Sequence, residues 1–415
     1  MKRKKDKRKK CLFYLSLISI SLFTIGLFAF KAGEEFQVNT YTTWYQRHPA
    51  IAMDEKGNFV ITWLSHEPER DGSGHERGFY AQRFNSKGEA IGEEFQVNTY
   101  ACGGGSPAIA MDKRGNFVIT WMSYDQDGSK NGVFAQRFNS KGKGIGREFQ
   151  VNTYTDSHQQ YPAIAMDRKG NFVITWMSNN QDDSEKGVFA QMYNRKGKAT
   201  GKEFQVNTYP YGNQQYPAIA MDEKGNFVIT WDSHGQDSSG LGVFAQMYSR
   251  KGEAIGIEFQ VNTYTHGRQS DPSIAMDTKG NFVITWDSHG QDGSMDGVFA
   301  QMYNSKGEAI GEEFQVNTYT NDKQCSPAVG MDNKRNFVIT WNSKGQDGSM
   351  DGIFAQRFNR KGQPIGTEFQ VNTYTKGKQA VPAIAMKEKG NFIITWQSSG
   401  QDGSLLGIFA KMFQK

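Results

Sequence analysis

The chain has 415 residues, of which 46 are glycine, 29 are phenylalanine and 37% are hydrophobic. This composition is typical of short strands joined by tight turns and excludes a disordered chain. The first 32 residues hold nine Lys or Arg and one Asp, a net +8 that leaves the rest at −3. A slightly acidic body excludes nucleic-acid binding, which needs a basic surface. Three cysteines are too few for a disulfide framework.

The amino terminus has the pattern of a membrane-targeting segment. Residues 1–10 form a basic tail, and residues 11–30 carry no charge. Twenty apolar residues can span a bilayer as a helix, and the basic flank then stays in the cytoplasm. We therefore expect residues 11–32 to be a transmembrane anchor or a signal peptide. Residues 33–415 would then be extracytoplasmic, anchored to the cytoplasmic membrane, or secreted if the helix is cleaved.

The remainder is a sevenfold repeat with a period near 55 residues. Its clearest marker is the Phe of EFQVN, which recurs at positions 36, 95, 149, 204, 259, 314 and 369. Each unit contains four runs with strand chemistry, EFQVNTY, PAIAM, NFVITW and GVFAQRF or a variant, separated by Gly-rich turns. The turns predict antiparallel hairpins.

Four antiparallel strands repeated seven times predict an all-β, seven-bladed β-propeller in residues 33–415. A β-solenoid is the alternative, but its coils are normally shorter. The small side chains of PAIAM favour the innermost position, which makes NFVITW second, GVFAQRF third and EFQVNTY outermost. The chain then begins with an outermost strand, 34–41, and ends with a third strand, 407–413. We expect the first strand to complete the seventh blade.

The two ends of such a ring differ in chemistry. The loops before PAIAM and after NFVITW share one end, here called the upper face, and they hold all seven histidines and most of the variation between repeats. Variable polar and aromatic loops on a rigid scaffold indicate binding, although unconstrained drift would look similar. The candidate ligand-binding residues are Trp44, Tyr45, His48, Tyr161, Tyr211, Tyr216, His234, His289, Asp127, Asp237, Asp292 and Asp347.

The recurring GQDGS loop offers a carboxylate that could bind a metal. A single Asp beside Gly and Ser is ordinary turn chemistry, whereas calcium takes six to eight oxygen ligands. The fifth repeat is the richest, with Asp287, Asp292 and Asp296 in DSHGQDGSMDG. We take these three as a candidate structural calcium site and expect no other cofactor.

Near-identical blades argue against catalysis, because a propeller hydrolase needs an asymmetric cluster near its axis. The exception is the longer first-repeat loop, residues 65–78, where His66, Glu67, Glu69, His75 and Glu76 could bind a metal or act as acid and base. We therefore expect that the protein is not an enzyme, with a hydrolase using this loop as the least favoured alternative.

The motifs GNFVITW, QDGSxxGVFAQRFN and GxEFQVNT resemble tandem repeats, often written GNFVVTW, DGSGxGVFAQRF and EFQVN, of secreted and cell-surface proteins of environmental bacteria. The resemblance covers residues 33–415 and implies an exported, propeller-like repeat protein. The blades are also broadly similar to those of sialidases, but AMDEKGNFVITW lacks their S-x-D-x-G-x-x-W pattern.

These observations favour an extracytoplasmic protein that binds a glycan or surface polymer multivalently through the upper face. An interaction scaffold for envelope proteins is the alternative. The expected partners are thus a glycan, an envelope polymer or an envelope protein, with membrane contact through the amino-terminal helix.

Overall fold

The computed structural model describes residues 31–68, 75–100, 103–182 and 185–414. Its 28 strands form seven four-stranded antiparallel sheets, which confirms the predicted seven-bladed propeller. The amino-terminal helix expected in residues 11–32 falls mostly outside the described residues. Among the residues that are described, no helix is long and apolar enough to cross a membrane.

The strands of each blade follow the chain, with the first strand of each blade innermost. Blade 1 contains β2 (Tyr45–Met53), β3 (Phe59–Pro68), β4 (His75–Phe84) and β5 (Phe95–Gln96). Blade 2 contains β6 (Gly103–Met111), β7 (Phe117–Tyr124), β8 (Asn131–Phe138) and β9 (Phe149–Gln150). Blade 3 contains β10 (Gln159–Met166), β11 (Phe172–Asn179), β12 (Lys186–Tyr193) and β13 (Ala199–Gln205). Blade 4 contains β14 (Gln214–Met221), β15 (Phe227–His234), β16 (Leu241–Tyr248) and β17 (Ala254–Gln260).

The remaining blades repeat this order. Blade 5 contains β18 (Gln269–Met276), β19 (Phe282–His289), β20 (Asp296–Tyr303) and β21 (Ala309–Gln315). Blade 6 contains β22 (Gln324–Met331), β23 (Phe337–Lys344), β24 (Asp351–Phe358) and β25 (Phe369–Gln370). Blade 7 contains β26 (Gln379–Met386), β27 (Phe392–Ser398), β28 (Gly407–Gln414) and, as its outermost strand, β1 (Lys31–Gln37).

The amino-terminal strand closes the ring, as predicted. Its Phe36 and Gln37 pair with Ala410 and Phe409 of β28. The strand covers residues 31–37 rather than 34–41, because β28 extends to Gln414 and gives Lys31 and Ala32 pairing partners beyond a bulge. These two residues, which were assigned to the anchor segment, therefore belong to the sheet.

The hydrophobic core lies between neighbouring blades. Trp121 of blade 2 is fully buried and belongs to a cluster with Leu64 and Ala81 of blade 1. The equivalent Trp of every blade is at most 1% exposed, so the repeated NFVITW Trp packs inside the ring. Ala52 of the innermost strand also lies in this interface, where its small side chain lets the next blade approach.

A glutamate before each EFQVN phenylalanine joins adjacent blades at the outer rim. The Oε2 atom of Glu94 accepts hydrogen bonds from the N–H and the hydroxyl of Thr40, at 2.8 and 3.0 Å. At the ring closure, Glu35 accepts the same pair of bonds from Thr373, at 2.6 and 2.8 Å. These charge-assisted bonds supplement the apolar contacts between blades.

Candidate functional site

The innermost strands carry a strained residue at the upper end of the central channel. In six blades the residue before the strand proline has a left-handed backbone, with φ between 51° and 56°, and blade 2 has Gly105 with φ of 86° near this position. Such a conformation is uncommon for non-glycine residues and costs on the order of 1–3 kcal/mol. The six residues are His48, Tyr161, Tyr216, Asp271, Ser326 and Val381.

In blades 6 and 7 the residue after the NFVITW tryptophan supports this strained position in the following blade. The side chain of Gln397 accepts a hydrogen bond from the N–H of His48, and Asn342 does the same for Val381, each at 3.0 Å. This supporting position is not uniform around the ring. It is apolar in blades 1–3 and polar in blades 4–7, in the order Leu64, Met122, Met177, Asp232, Asp287, Asn342 and Gln397.

The polar side of the ring contains four aspartates, Asp232, Asp271, Asp287 and Asp296, here called the acidic cluster. Asp296 is fully buried and has three basic side chains beside it. It lies 3.2 Å from Arg268 Nη2, 2.9 Å from His289 Nδ1 and 3.1 Å from Lys323 Nζ. Burial opposes ionisation, but the bonds from His289 and Lys323 and the charge of Arg268 lower the pKa of Asp296. This carboxylate is therefore ionised and already compensated.

Asp287 behaves differently although it is also buried. The hydroxyl of Ser270 donates to its Oδ2 at 3.1 Å, while its Oδ1 has no partner among the described residues. Burial and the negative charge of Asp271 raise the pKa of Asp287 to about 8, and the Arg268 guanidinium, 3.9 Å away, offsets only part of this. The acid is therefore mostly protonated at neutral pH.

Asp232 is the least compensated member of the cluster. It is fully buried, and neither carboxylate oxygen makes a hydrogen bond of ordinary geometry within the described chain. Burial and the charges of Asp271 and Asp287 raise its pKa well above the usual value, although the Asp271 backbone and Lys186 act in the opposite direction. A buried polar group without a well-aligned partner lowers the free energy of unfolding, so Asp232 destabilises the fold.

Asp271 and two tyrosines form the exposed part of the same region. Asp271 is one of the strained residues and is solvent-exposed, although burial of its carboxyl group still raises its pKa. The rings of Tyr161 and Tyr216 lie 4.6 Å apart between centroids, tilted by 59°. Burial, Tyr161 and the charges of Asp271 and Asp232 raise the pKa of Tyr216 to about 12. The tyrosines and the acidic cluster therefore form one neighbourhood.

His48 lies on the other side of the ring, in β2 of blade 1. Burial and the charge of Arg47 lower its pKa to about 4, so the imidazole is neutral at physiological pH. Arg47 in turn lies 2.8 Å from a ring nitrogen of His66. Of the longer first-repeat loop, residues 69–74 fall outside the described chain, so the arrangement proposed for that loop stays a prediction.

The GQDGS aspartates have a different environment from the acidic cluster. Asp292 Oδ1 accepts from the N–H of Ser294 at 3.0 Å, and Oδ2 lies against Gly297. Asp127, Asp237 and Asp347 make the same turn contact. Asp292 thus does not join Asp287 and Asp296, and within the described ranges no group of three His, Cys, Asp or Glu is arranged to hold a metal. Calcium binding stays a prediction.

The other predicted aromatic and histidine residues lie farther from the acidic cluster or at its edge. Trp44 and Tyr45 are each 38% exposed, and Tyr211 is 70% exposed. His234 and His289 end the second strands of blades 4 and 5, and of the two the structure pairs His289 with Asp296. Of the predicted residues, the structure therefore brings together Tyr161, Tyr216, Asp287, Asp296 and His289. Asp232, Asp271, Arg268 and Lys323 lie in the same region and were not among the predicted site residues.

The lower end of the channel is spanned by one arginine. Arg168 of blade 3 forms ion pairs with Glu55 of blade 1, Glu223 of blade 4 at 3.2 Å and Glu388 of blade 7 at 2.7 Å. Partial burial lowers the pKa of Arg168, but the charges of Glu388 and Glu55 and the hydrogen bonds to Glu223 and Glu55 raise it overall. Arg168 and these glutamates line a cavity at the lower end, together with the methionines that end the innermost strands.

Comparison with known proteins relates the chain to others by fold. No protein-family profile matches it, and no match was found among curated proteins. The α-L-arabinofuranosidase of Fusarium graminearum, solved with an iminosugar inhibitor, is similar with a TM-score of 0.54 and 10% identity, covering 92% of this chain and 98% of that one.

Two further structures have the same fold. The α-L-arabinanase of Penicillium chrysogenum, solved with arabinobiose, has a TM-score of 0.50 and 13% identity, covering 73% of this chain and 92% of that one. A protein of unknown function from Dyadobacter fermentans has a TM-score of 0.54 and 10% identity, covering 93% and 99%. At these identities the similarity shows the fold, which is one that carbohydrate-active propellers use.

The expectation that the protein is not an enzyme is wrong in its reasoning and is withdrawn. Propellers of this fold include glycoside hydrolases. The expectation also assumed that near-identical blades leave the axis symmetric, whereas Asp232 and Asp287 occupy positions that are apolar in blades 1–3. The repeat hid this asymmetry because the residue after the Trp is a single variable position beside the nearly constant NFVITW strand.

Proposed function

We propose that the protein is an extracytoplasmic carbohydrate-binding propeller that recognises a glycan at the upper end of its channel. The observation that carries this proposal is the break in symmetry there, where the Tyr161 and Tyr216 rings lie beside the acidic cluster. Aromatic faces next to a few convergent polar groups are typical of small-molecule sites. The fold shared with carbohydrate-active propellers supports this choice of ligand.

The extracytoplasmic location is part of the proposal. It is supported by the basic and apolar segments of residues 1–32 and by the resemblance of the repeats to those of exported proteins. Cell fractionation with an antibody against residues 33–415 would distinguish a retained anchor from a cleaved signal. Recovery of the protein in the cytoplasm alone would contradict both.

The first test is glycan binding by the purified ring with substitutions in the tyrosine pair. Tyr161→Ala and Tyr216→Ala should each weaken binding about tenfold or more, because stacking area is lost at the channel mouth. Tyr124→Ala is the matched control, since Tyr124 is 56% exposed at the end of β7 and is not among the candidate binding residues. Equal losses in all three variants, or no binding to any glycan, would contradict the proposal.

The same glycans decide between binding and hydrolysis. A carboxylic acid kept protonated at neutral pH and an ionised carboxylate nearby are the two groups that glycoside hydrolysis requires. Asp287 and Asp296 differ in this way. Release of new reducing ends from a bound oligosaccharide, lost in Asp287→Asn, would extend the proposed function to hydrolysis.

A further inference from the structure

We infer that the glycan recognised at the acidic cluster is an amino sugar chain, whose free ammonium group pairs with Asp271 while Asp232 and Asp287 lie behind it. This inference rests on the proposed function and specifies its ligand. It has three independent supports, namely the distribution of charge, the unpartnered acceptors and the adjacent aromatic pair.

The first support is the distribution of charge within the acidic cluster. Asp296 takes the short contacts to Arg268, Lys323 and His289. Asp287 is left with Arg268 at 3.9 Å, and no salt bridge is formed by Asp232 or Asp271 in the described part of the chain. Burial is the main reason that these carboxyl groups hold protons, but their mutual repulsion adds to it, and a cation bound at the exposed Asp271 relieves that repulsion.

The second support is the set of unpartnered acceptors. One oxygen of Asp287 has no hydrogen-bond donor within the described residues, and Asp232 has only a poorly aligned bond from the Asp271 backbone. These atoms are buried, so a ligand contacts the exposed Asp271 and acts on the acids behind it through its charge. A primary ammonium group supplies that charge and three N–H donors to Asp271, whereas a neutral hydroxyl group supplies one donor and no charge.

The fold itself does not require aspartate at these two positions. Blades 6 and 7 have Asn342 and Gln397 there, and both amides accept the hydrogen bond from the strained residue of the next blade. A buried carboxyl group is more costly than an amide that makes the same bond. An amide fills the supporting role at lower cost, and a role in ligand binding accounts for the choice of an acid.

The third support is the position of the tyrosines. Tyr216 is close enough to Asp271 and Asp232 for their charges to act on its hydroxyl, and Tyr161 packs against Tyr216. An aromatic face attracts a cation within about 6 Å and also stacks on a sugar ring. The pair can therefore contact the sugar while its ammonium group reaches Asp271.

The test compares glucosamine oligomers with fully N-acetylated oligomers of the same length, titrated into the intact protein by calorimetry. We expect at least about tenfold tighter binding of the free amine. The amine should also release protons, seen as a dependence of the heat on buffer ionisation, since Asp232 and Asp287 ionise when the cation binds. Equal affinity for the two oligomers would overturn the inference.

Two variants separate the acidic cluster from general surface charge. Asp232→Asn and Asp287→Asn, which introduce the amide that blade 6 has at Asn342, should lose the preference for the amine while retaining binding of the acetylated oligomer. Asp402→Asn, which changes the equivalent turn aspartate of blade 7, should leave the preference unchanged. Preference that survives in both cluster variants, or that disappears in Asp402→Asn, would overturn the inference. Failure of every glycan to bind would instead reject the proposed function itself.

Discussion

At the scale of single residues, Asp287 links protonation to folding. Its pKa is about 8 in the folded protein, because of burial and neighbouring charge, against about 4 for an exposed Asp. The folded state therefore binds a proton that the unfolded state has released between these pH values. The stabilisation is fully present below pH 4 and is lost as the pH rises through 8.

Asp287→Asn should remove this pH dependence. At pH 8 the variant should have an unfolding free energy roughly 2–4 kcal/mol larger than that of the parent, and it should melt at a higher temperature. The difference should shrink towards pH 4. Calorimetric melts at both pH values would measure it. Asp292→Asn serves as the control, and a constant difference between Asp287→Asn and the parent across this range would contradict the prediction.

At the scale of strands, the pattern of small and large side chains predicted the four-stranded blades, their order and the closure by the first strand. The glutamate contacts between blades were not predictable, because Glu35 and Thr373 are 338 residues apart and each looks like an ordinary surface residue. The acidic cluster was missed for a related reason. Asp232 and Asp287 follow the repeated Trp directly and look like strand variants, and their importance arises only when the next blade is placed beside them.

Glu35→Ala should weaken the closure of the ring. The change removes two hydrogen bonds to Thr373 and the contact with Gln401, which together contribute on the order of 1–3 kcal/mol. Glu34→Ala is a neighbouring control, since Glu34 is exposed. Chemical denaturation should show a lower midpoint for Glu35→Ala alone.

Deletion of residues 31–37 should lower the melting temperature much further, and an unchanged melt would show that β1 is dispensable.

At the scale of the whole ring, Arg168 connects blades that are distant in the sequence. Its ion pairs reach Glu55, 113 residues earlier, and Glu388, 220 residues later. Each pair is partly exposed and individually weak, but one guanidinium shared by three carboxylates forms a network across the axis. The network holds opposite sides of the ring at a fixed distance.

Arg168→Ala should lower the melting temperature by a few degrees, since three carboxylates then face one another without a cation. The loss should be smaller at high salt, because screening weakens both the lost attraction and the remaining repulsion. Lys169→Ala is the control at the adjacent exposed position. A melting temperature equal to that of the control at low salt would show that the network does not contribute.

At the strained residue before the strand proline, the side chain can change without a change in the fold. Its backbone is held by the bend of the innermost strand, whether the side chain is imidazole, phenol, carboxyl, hydroxyl or isopropyl, as in His48, Tyr216, Asp271, Ser326 and Val381. Duplication of a blade therefore copies a backbone position that accepts side chains of different chemistry. We therefore expect that single substitutions at these six positions alter the ligand preference of the ring while its interblade core stays the same.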